Sequence, residues 1–472
     1  MPVLRKFTYG KKLSIYQPAL VWVCCCLCFI SPTETHAGGA TRRLKVGVFR
    51  VDATPPIGSP VLNTYAGKIE DSLSARGIVI LSGGKPVVLC SVDWVGIANE
   101  GMDMWRSALA RAAGTDIERV SVHVVHQHDA PRCDFTTEKI LREYGFGGAR
   151  FDTAFLYRVI RNTSLAVEKA VRNATVVTHI GFGEAIVEKV ASNRRILGKD
   201  GKVSVIRNSR TSDKAAIEAP EGTIDPLLKA VSFWNKKMPL AVLTFYATHP
   251  MSYYGRGEVS ADFIGLARTA RERDSGGLVH IHFNGAGGNI AAGKYNDGSG
   301  PMRAVLAERI EKAMAKAWHE TTLFPVKPDD IKWTSVPVKL PLRDGLDEHE
   351  ICRKLADDKV PDLEKYYLAR HFAWILRVKN GMHPMVSALQ LKEVGMLFLP
   401  GELFVEYQLA AQELLPGKHL CTAAYGDLGP FYIGTEKSYE EGGYETQPDK
   451  SLVGPSAEAI LMKAIRFVLI GN

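Results

Sequence analysis

The chain has 472 residues, with 59 lysines and arginines against 51 aspartates and glutamates, and 46% of its residues are hydrophobic. Its formal net charge of +8 is spread without basic runs or interleaved aromatic and basic residues, so nothing directs the chain to nucleic acid. The length allows a large core, and no linker tract, internal repeat or low-complexity segment divides it.

Residues 1–37 read as a secretion signal and 38–472 as one large domain. Arg5, Lys6, Lys11 and Lys12 form a basic start, and twelve uncharged, largely apolar residues run from Ala19 to Ile30. That run is short of the roughly twenty residues a bilayer span requires. Thr35-His36-Ala37 supplies small residues before a cleavage point after Ala37. The expected location is therefore periplasmic or extracellular, with no integral membrane segment later in the chain. Four of eight cysteines fall inside the signal; Cys90, Cys133, Cys352 and Cys421 remain, too far apart for a zinc knuckle and without a spacing that assigns a disulfide.

Along the rest, apolar runs alternate with amphipathic helices. Gly77–Leu81 and Pro86–Asp93 read as a hairpin around Ser82-Gly83-Gly84, and Met102–Ala113 as a helix. Arg119–Cys133 alternates as a strand through Val120, Val122 and Val124, carries His126 and His128 at its end, and leaves the sheet at Pro131. Strand geometry sets those two histidines on one face, where they suit a shared metal ion or substrate, or simply a half-exposed strand end. Thr153–Arg172 is a helix with Asp152 as N-cap. Val176–Val190 is a strand leading to Asn193-Arg194-Arg195. Pro239–Ala247 is a buried strand ending in Thr248-His249-Pro250, where His249 suits a ligand or a hydrogen-bonded core imidazole. A polar aromatic loop with Tyr253 and Tyr254 follows, and Asp262 suits the N-cap of a helix over Ala261–Arg273.

Leu278–Phe283 is a strand that opens into the glycine-rich stretch Asn284–Gly293. Such a stretch lets backbone amides approach an anion or oxyanion, or makes a tight turn. Pro301–His319 is a helix, Asp347–Asp357 and Leu363–Lys379 are a helical pair, and Val394–Leu399 is a strand. Pro400-Gly401-Glu402 is expected to open a helix running to about Leu415, which would put Glu402 in its first turn, where the dipole keeps a carboxylate ionised. Tyr432 and Tyr444 sit twelve residues apart in a Gly-rich loop, and Ala457–Leu469 is a final helix. The alternation predicts an α/β fold, a mixed sheet with helices on its faces in one layered domain, with its site in loops beyond the strand ends.

In that order the motifs resemble the catalytic domain of the neutral (non-lysosomal, alkaline) ceramidases, zinc-dependent amidohydrolases of N-acyl sphingosines. Val51-Asp52-Ala53-Thr54-Pro55-Pro56 looks like the family's DITPP signature, and His126-Gln127-His128-Asp129-Ala130-Pro131 like its HTHSGP. Asn193-Arg194, His249, Pro400-Gly401-Glu402 and the Tyr432/Tyr444 pair follow in the family's order. The resemblance implies Zn2+ held by His126, His249, Glu402 and Tyr432. It also implies His128, Arg194 and Tyr444 around the scissile bond, and a small N-acyl substrate. Two departures stand out. Gly285 and Gly287 replace an aspartate and a serine in the family's GDVSPN segment, here Asn284–Asn289, and the sequence stops near the end of the catalytic domain, before an immunoglobulin-like domain.

The expected chemistry is metal-assisted attack of water on an amide carbonyl. His128 would move the proton, Arg194 would orient a polar substrate group, and Tyr444 with the Asn284, Gly287 and Asn289 loop would face the oxyanion. Two alternatives are a zinc esterase, lactonase or deacetylase acting on a carbohydrate or cell-wall fragment, and a metal-containing binding protein without turnover. Oligomeric state is not legible.

Overall fold

The computed structural model describes residues 42–471; the expected signal over 1–37 lies outside them. Three sheets carry the architecture. The first has strands in the order Thr175–Val176, Lys45–Asp52, Ser74–Leu81, Val87–Val92 and Val120–Val124. The second runs His280–Asn284, Met238–Tyr246, Leu227–Asn235, His179–Ile186 and Thr322–Pro325, and the third Ile331–Pro337, Met385–Leu391, Val394–Phe398 and His419–Ala423. Their central strands are continuous apolar runs because both faces are covered.

Each sheet contains one parallel pair joined through a helix. Val87–Val92 leads through Glu100–Ala113 to Val120–Val124. Met238–Tyr246 leads through Asp262–Asp274 to His280–Asn284. Val394–Phe398 leads through Val405–Glu413 to His419–Ala423. The inner faces of the sheets share one core, in which Ile78 and Ile80 meet Phe233, Leu243 and Phe283 of the second sheet and Leu389, Met396 and Phe398 of the third. Burying each such side chain contributes ~1.5–3 kcal/mol. Helices cover the outside, with Trp105, Phe155, Trp374 and Ile465 in one outer core and Phe263, Leu306 and Ile310 in the other.

A buried ion pair ties the end of the strand Val87–Val92 to the helix Asp262–Asp274. Arg268 donates two hydrogen bonds, of 2.8 and 2.6 Å, to Asp93, which also accepts the Ser74 amide and hydroxyl. Burial alone would raise the Asp93 pKa, but the Arg268 charge and its bonds outweigh burial and hold it below the usual carboxylate range.

The mixed α/β expectation holds, and residues from Arg42 onward form one compact unit. The hairpin pairs Ser74–Leu81 with Val87–Val92, and the helix Thr153–Arg172 is capped by Asp152, whose carboxylate accepts the Phe155 amide. Three local expectations fail. The strand before the histidines ends at Val124, because the Val125 and His126 amides turn to the carbonyls of Val92 and Trp94 and His126 takes a left-handed φ of 72°. Asp262 is the first residue of its helix, not the cap, which is Ala261. Glu402 belongs to a two-residue strand with Leu403, paired in parallel with Tyr432-Ile433, and the helix begins only at Val405. The four cysteines of the described chain are free thiols, and no helix among the described residues is long and apolar enough to cross a membrane.

Candidate metal centre

The loops that leave the carboxyl ends of the three parallel pairs meet at one place. His126 follows Val120–Val124, His249 follows Met238–Tyr246, and Glu402 follows Val394–Phe398. Their ligand atoms lie within 4.8 Å of one another, all three residues being buried. Glu402 Oε2 is 3.4 Å from His126 Nε2 and 3.2 Å from His249 Nε2. The Tyr432 hydroxyl, brought alongside by the short strand it forms with Glu402, is 3.4 Å from His249 Nε2.

The other ring nitrogens fix the tautomers. His126 Nδ1 lies 2.6 Å from the Val95 carbonyl and His249 Nδ1 lies 2.6 Å from the Gly287 carbonyl. A carbonyl only accepts, so each Nδ1 carries the proton and each Nε2 turns a lone pair toward the carboxylate. Burial pushes the His249 pKa down, which keeps that ring neutral. Two imidazole lone pairs and an anionic oxygen facing one point repel unless a cation lies among them. The donor set therefore suits a divalent metal, and two nitrogens with one carboxylate match the ligand chemistry of zinc.

Around these three, the structure places the remaining expected residues unequally. His128 is half-buried, with its ring centroid 4.9 Å from that of His126, and its Nδ1 lies 3.0 Å from the His126 carbonyl, leaving Nε2 with a lone pair. The bend at His126, rather than strand alternation, brings the two rings together. Burial, followed by the His126 and His249 rings, lowers the His128 pKa well below its usual value. Tyr444 stands across from Tyr432 with ring centroids 6.0 Å apart and is 36% exposed. Arg194 is buried behind both tyrosines: it donates to the Tyr432 hydroxyl at 3.2 Å, and its Nε is 3.2 Å from a Glu445 oxygen. It is engaged by Tyr432 and Glu445 and is not among the residues that line the cleft.

Asn284, Gly287 and Asn289 do not line the cleft. The amides of Gly285, Ala286 and Gly288 already donate to the Tyr246 carbonyl, Gln408 and the Leu403 carbonyl. Asn284 donates to the Val125 carbonyl, and Asn289 bridges Glu406 and the Val405 amide. These bonds brace the ligand loops, and the cleft lining does not include the loop expected to face the oxyanion. A Cβ on Gly287 would come within 3.0 Å of the Thr248 backbone, and one on Gly288 would overlap the Glu402 carbonyl oxygen. Glycine at these positions is what lets the His249 and Glu402 loops approach each other.

Two residues escaped sequence reasoning. Tyr425, buried and at φ 61°, stacks on His126 at 4.7 Å and sets its hydroxyl 3.4 Å from His249 Nδ1. Glu445, fully buried, pairs with both Arg194 and Arg195. Neither carries a sequence signal beyond a tyrosine before a glycine and one acid among several.

A cleft of about 210 Å³ opens over this cluster, lined by His126, His128, Glu402, Tyr432 and Tyr444 on the side of the metal cluster. Tyr254 also lines it, with its ring 5.0 Å from His128. Asp129 and Asp262, nearby in sequence, instead flank Arg303, each at 3.7 Å.

This is the fold of the neutral ceramidases. The crystal structure of neutral ceramidase from Pseudomonas aeruginosa matches with a TM-score of 0.64 over 90% of this chain and 74% of that one, at 17% sequence identity. A structure described as ceramidase complexed with C2 matches at 0.63, over 90% of this chain and 75% of that one, also at 17% identity. No protein-family model matches the sequence, and no curated protein matches it.

Proposed function

We propose that the protein is a zinc-dependent hydrolase of an N-acyl amide, exported from the cytoplasm. The observation that carries this reading is the convergence of His126, His249 and Glu402, with both imidazoles held in the ligand tautomer, beside a cleft lined by His128, Tyr432 and Tyr444 among others. The shared fold with ceramidase structures supports the amide bond as the target.

A zinc ion held by His126, His249 and Glu402, with Tyr432 beside them, would supply Lewis-acid polarisation of the carbonyl and acidify an attacking water. The chain's own groups do the rest. His128, neutral and with a free Nε2, accepts the proton of the attacking water and returns it to the leaving amine. Tyr444 donates its hydroxyl to the developing oxyanion. Arg194, anchored by Glu445, keeps the Tyr432 hydroxyl aimed at the ligand cluster. No serine is needed, which agrees with Gly287.

The test is metal analysis and turnover together. Purified protein should contain one zinc per chain and cleave N-acyl amides faster than matched esters, and His249→Ala should lose both metal and activity. Full turnover by the metal-free variant overturns the proposal, and an ester preference redirects it to the esterase reading. Export rests on the basic start and apolar run of residues 1–37; N-terminal sequencing of the exported protein should begin at Gly38.

A further inference from the structure

The cleft lining includes cationic side chains besides the metal-ligand cluster. Arg132 and Arg370 are two of them. Their guanidinium carbons lie 5.7 and 5.6 Å from the centre of the buried Tyr366 ring, and a third arginine, Arg150, lies 5.5 Å from the same ring. Among the described residues Arg132 donates only to neutral acceptors, the Leu62 carbonyl at 3.1 Å and Asn63 Oδ1 at 3.4 Å. Arg370 lies over Phe431 at 3.5 Å, and among the described residues it makes neither a hydrogen bond nor an ion pair. Lys450, which also lines the cleft, is paired with Asp449 at 2.7 Å.

Gathering like charges in a concave site is unfavourable unless an anion joins them, and it raises the local concentration of anions. Stacking on Phe431 fixes the plane of the Arg370 guanidinium and leaves its edge N–H groups free. That planar fork matches a carboxylate in bidentate fashion. Burial lowers the Arg370 pKa, and the charge of Arg132 adds to this while Tyr366, Tyr367 and Asp134 oppose it.

We propose that the substrate of this site carries a carboxylate, bound by Arg132 and Arg370 while its amide faces His126 and Glu402. The inference deepens the hydrolase reading and rests on it. The carboxylate belongs either to the amine half, as in an N-acyl amino acid, or to the acyl half, as in a dicarboxylic monoamide.

Three probes separate these cases: N-hexanoylglycine, N-hexylsuccinamate and the neutral N-hexanoylglycinamide. Zinc-loaded enzyme should prefer one of the two acids over the neutral amide by about tenfold or more in kcat/KM, and the preferred acid identifies the half that carries the charge. Arg370→Gln should erase that preference through KM, while Arg370→Lys, which keeps the charge without the fork, restores part of it. Calorimetry on zinc-stripped protein gives a readout independent of turnover: the acid should bind more tightly than the neutral amide, and Arg370→Gln should remove the difference. Should Arg370→Gln not fold, Arg132→Gln carries the same expectation. Equal binding and equal turnover of all three probes overturns the carboxylate inference and leaves the hydrolase reading intact. Selective binding of an acid with no cleavage of any amide supports the anion site and sinks the hydrolase reading.

Discussion

At the scale of single residues, the site depends on which ring nitrogen carries a proton and on how closely two loops approach. The Gly287 carbonyl holds His249 in its ligand tautomer, and Gly288 lies against the carbonyl of Glu402. Gly288→Ala should push these loops apart, lowering stability by ~1–3 kcal/mol in urea unfolding and weakening metal retention during dialysis against a chelator. Tyr444→Phe removes one hydroxyl and nothing that supports the ligands. Its kcat should fall by about 10²–10³-fold with metal content unchanged. The ligands themselves could be singled out in the sequence because each follows an apolar run at a strand-to-loop junction. Tyr425 and Glu445 could not, since their partners lie far away in sequence and neither interrupts a local pattern.

At the scale of elements, periodicity is a good guide wherever one face or both are apolar over several residues. Thr153–Arg172 and its Asp152 cap were legible to the residue for that reason. It fails where two or three residues decide the outcome. Pro-Gly-Glu before an apolar run is the signature of a helix start, yet Glu402 pairs with Tyr432 across the chain, and the helix waits until Val405. The difference has a functional consequence: Glu402 meets the imidazoles from a strand paired with Tyr432, so it is not a first-turn residue of the helix. Asp93 gives a further element-scale prediction. Its contact with Arg268 is buried on both sides, so Asp93→Asn should cost about 3–5 kcal/mol in denaturant unfolding. Because its folded pKa is lowered, this contribution is fully present above the ordinary carboxylate pKa of about 3.9 and is lost as pH falls through the lower folded value. Unfolding curves of wild type and Asp93→Asn should therefore converge below that range, and a constant gap down to strong acid would contradict the assignment.

At the scale of the whole molecule, the α/β class was legible, whereas the division into three sheets around a shared core was not, since nothing local says which strand pairs with which. Metal binding should couple to global stability. A ligand that binds only the folded state adds about 2.7 kcal/mol at a hundredfold excess over its Kd, so zinc should raise the Tm of stripped wild type and leave that of His249→Ala unmoved. The three ligands reach the centre from three different sheets, each at the end of its own parallel pair. No fragment holding one sheet, or two, possesses the full coordination set. A partly assembled chain would hold such an ion weakly at best, and tight uptake would report that all three layers have docked. A cation bound there would double as an internal checkpoint on tertiary assembly.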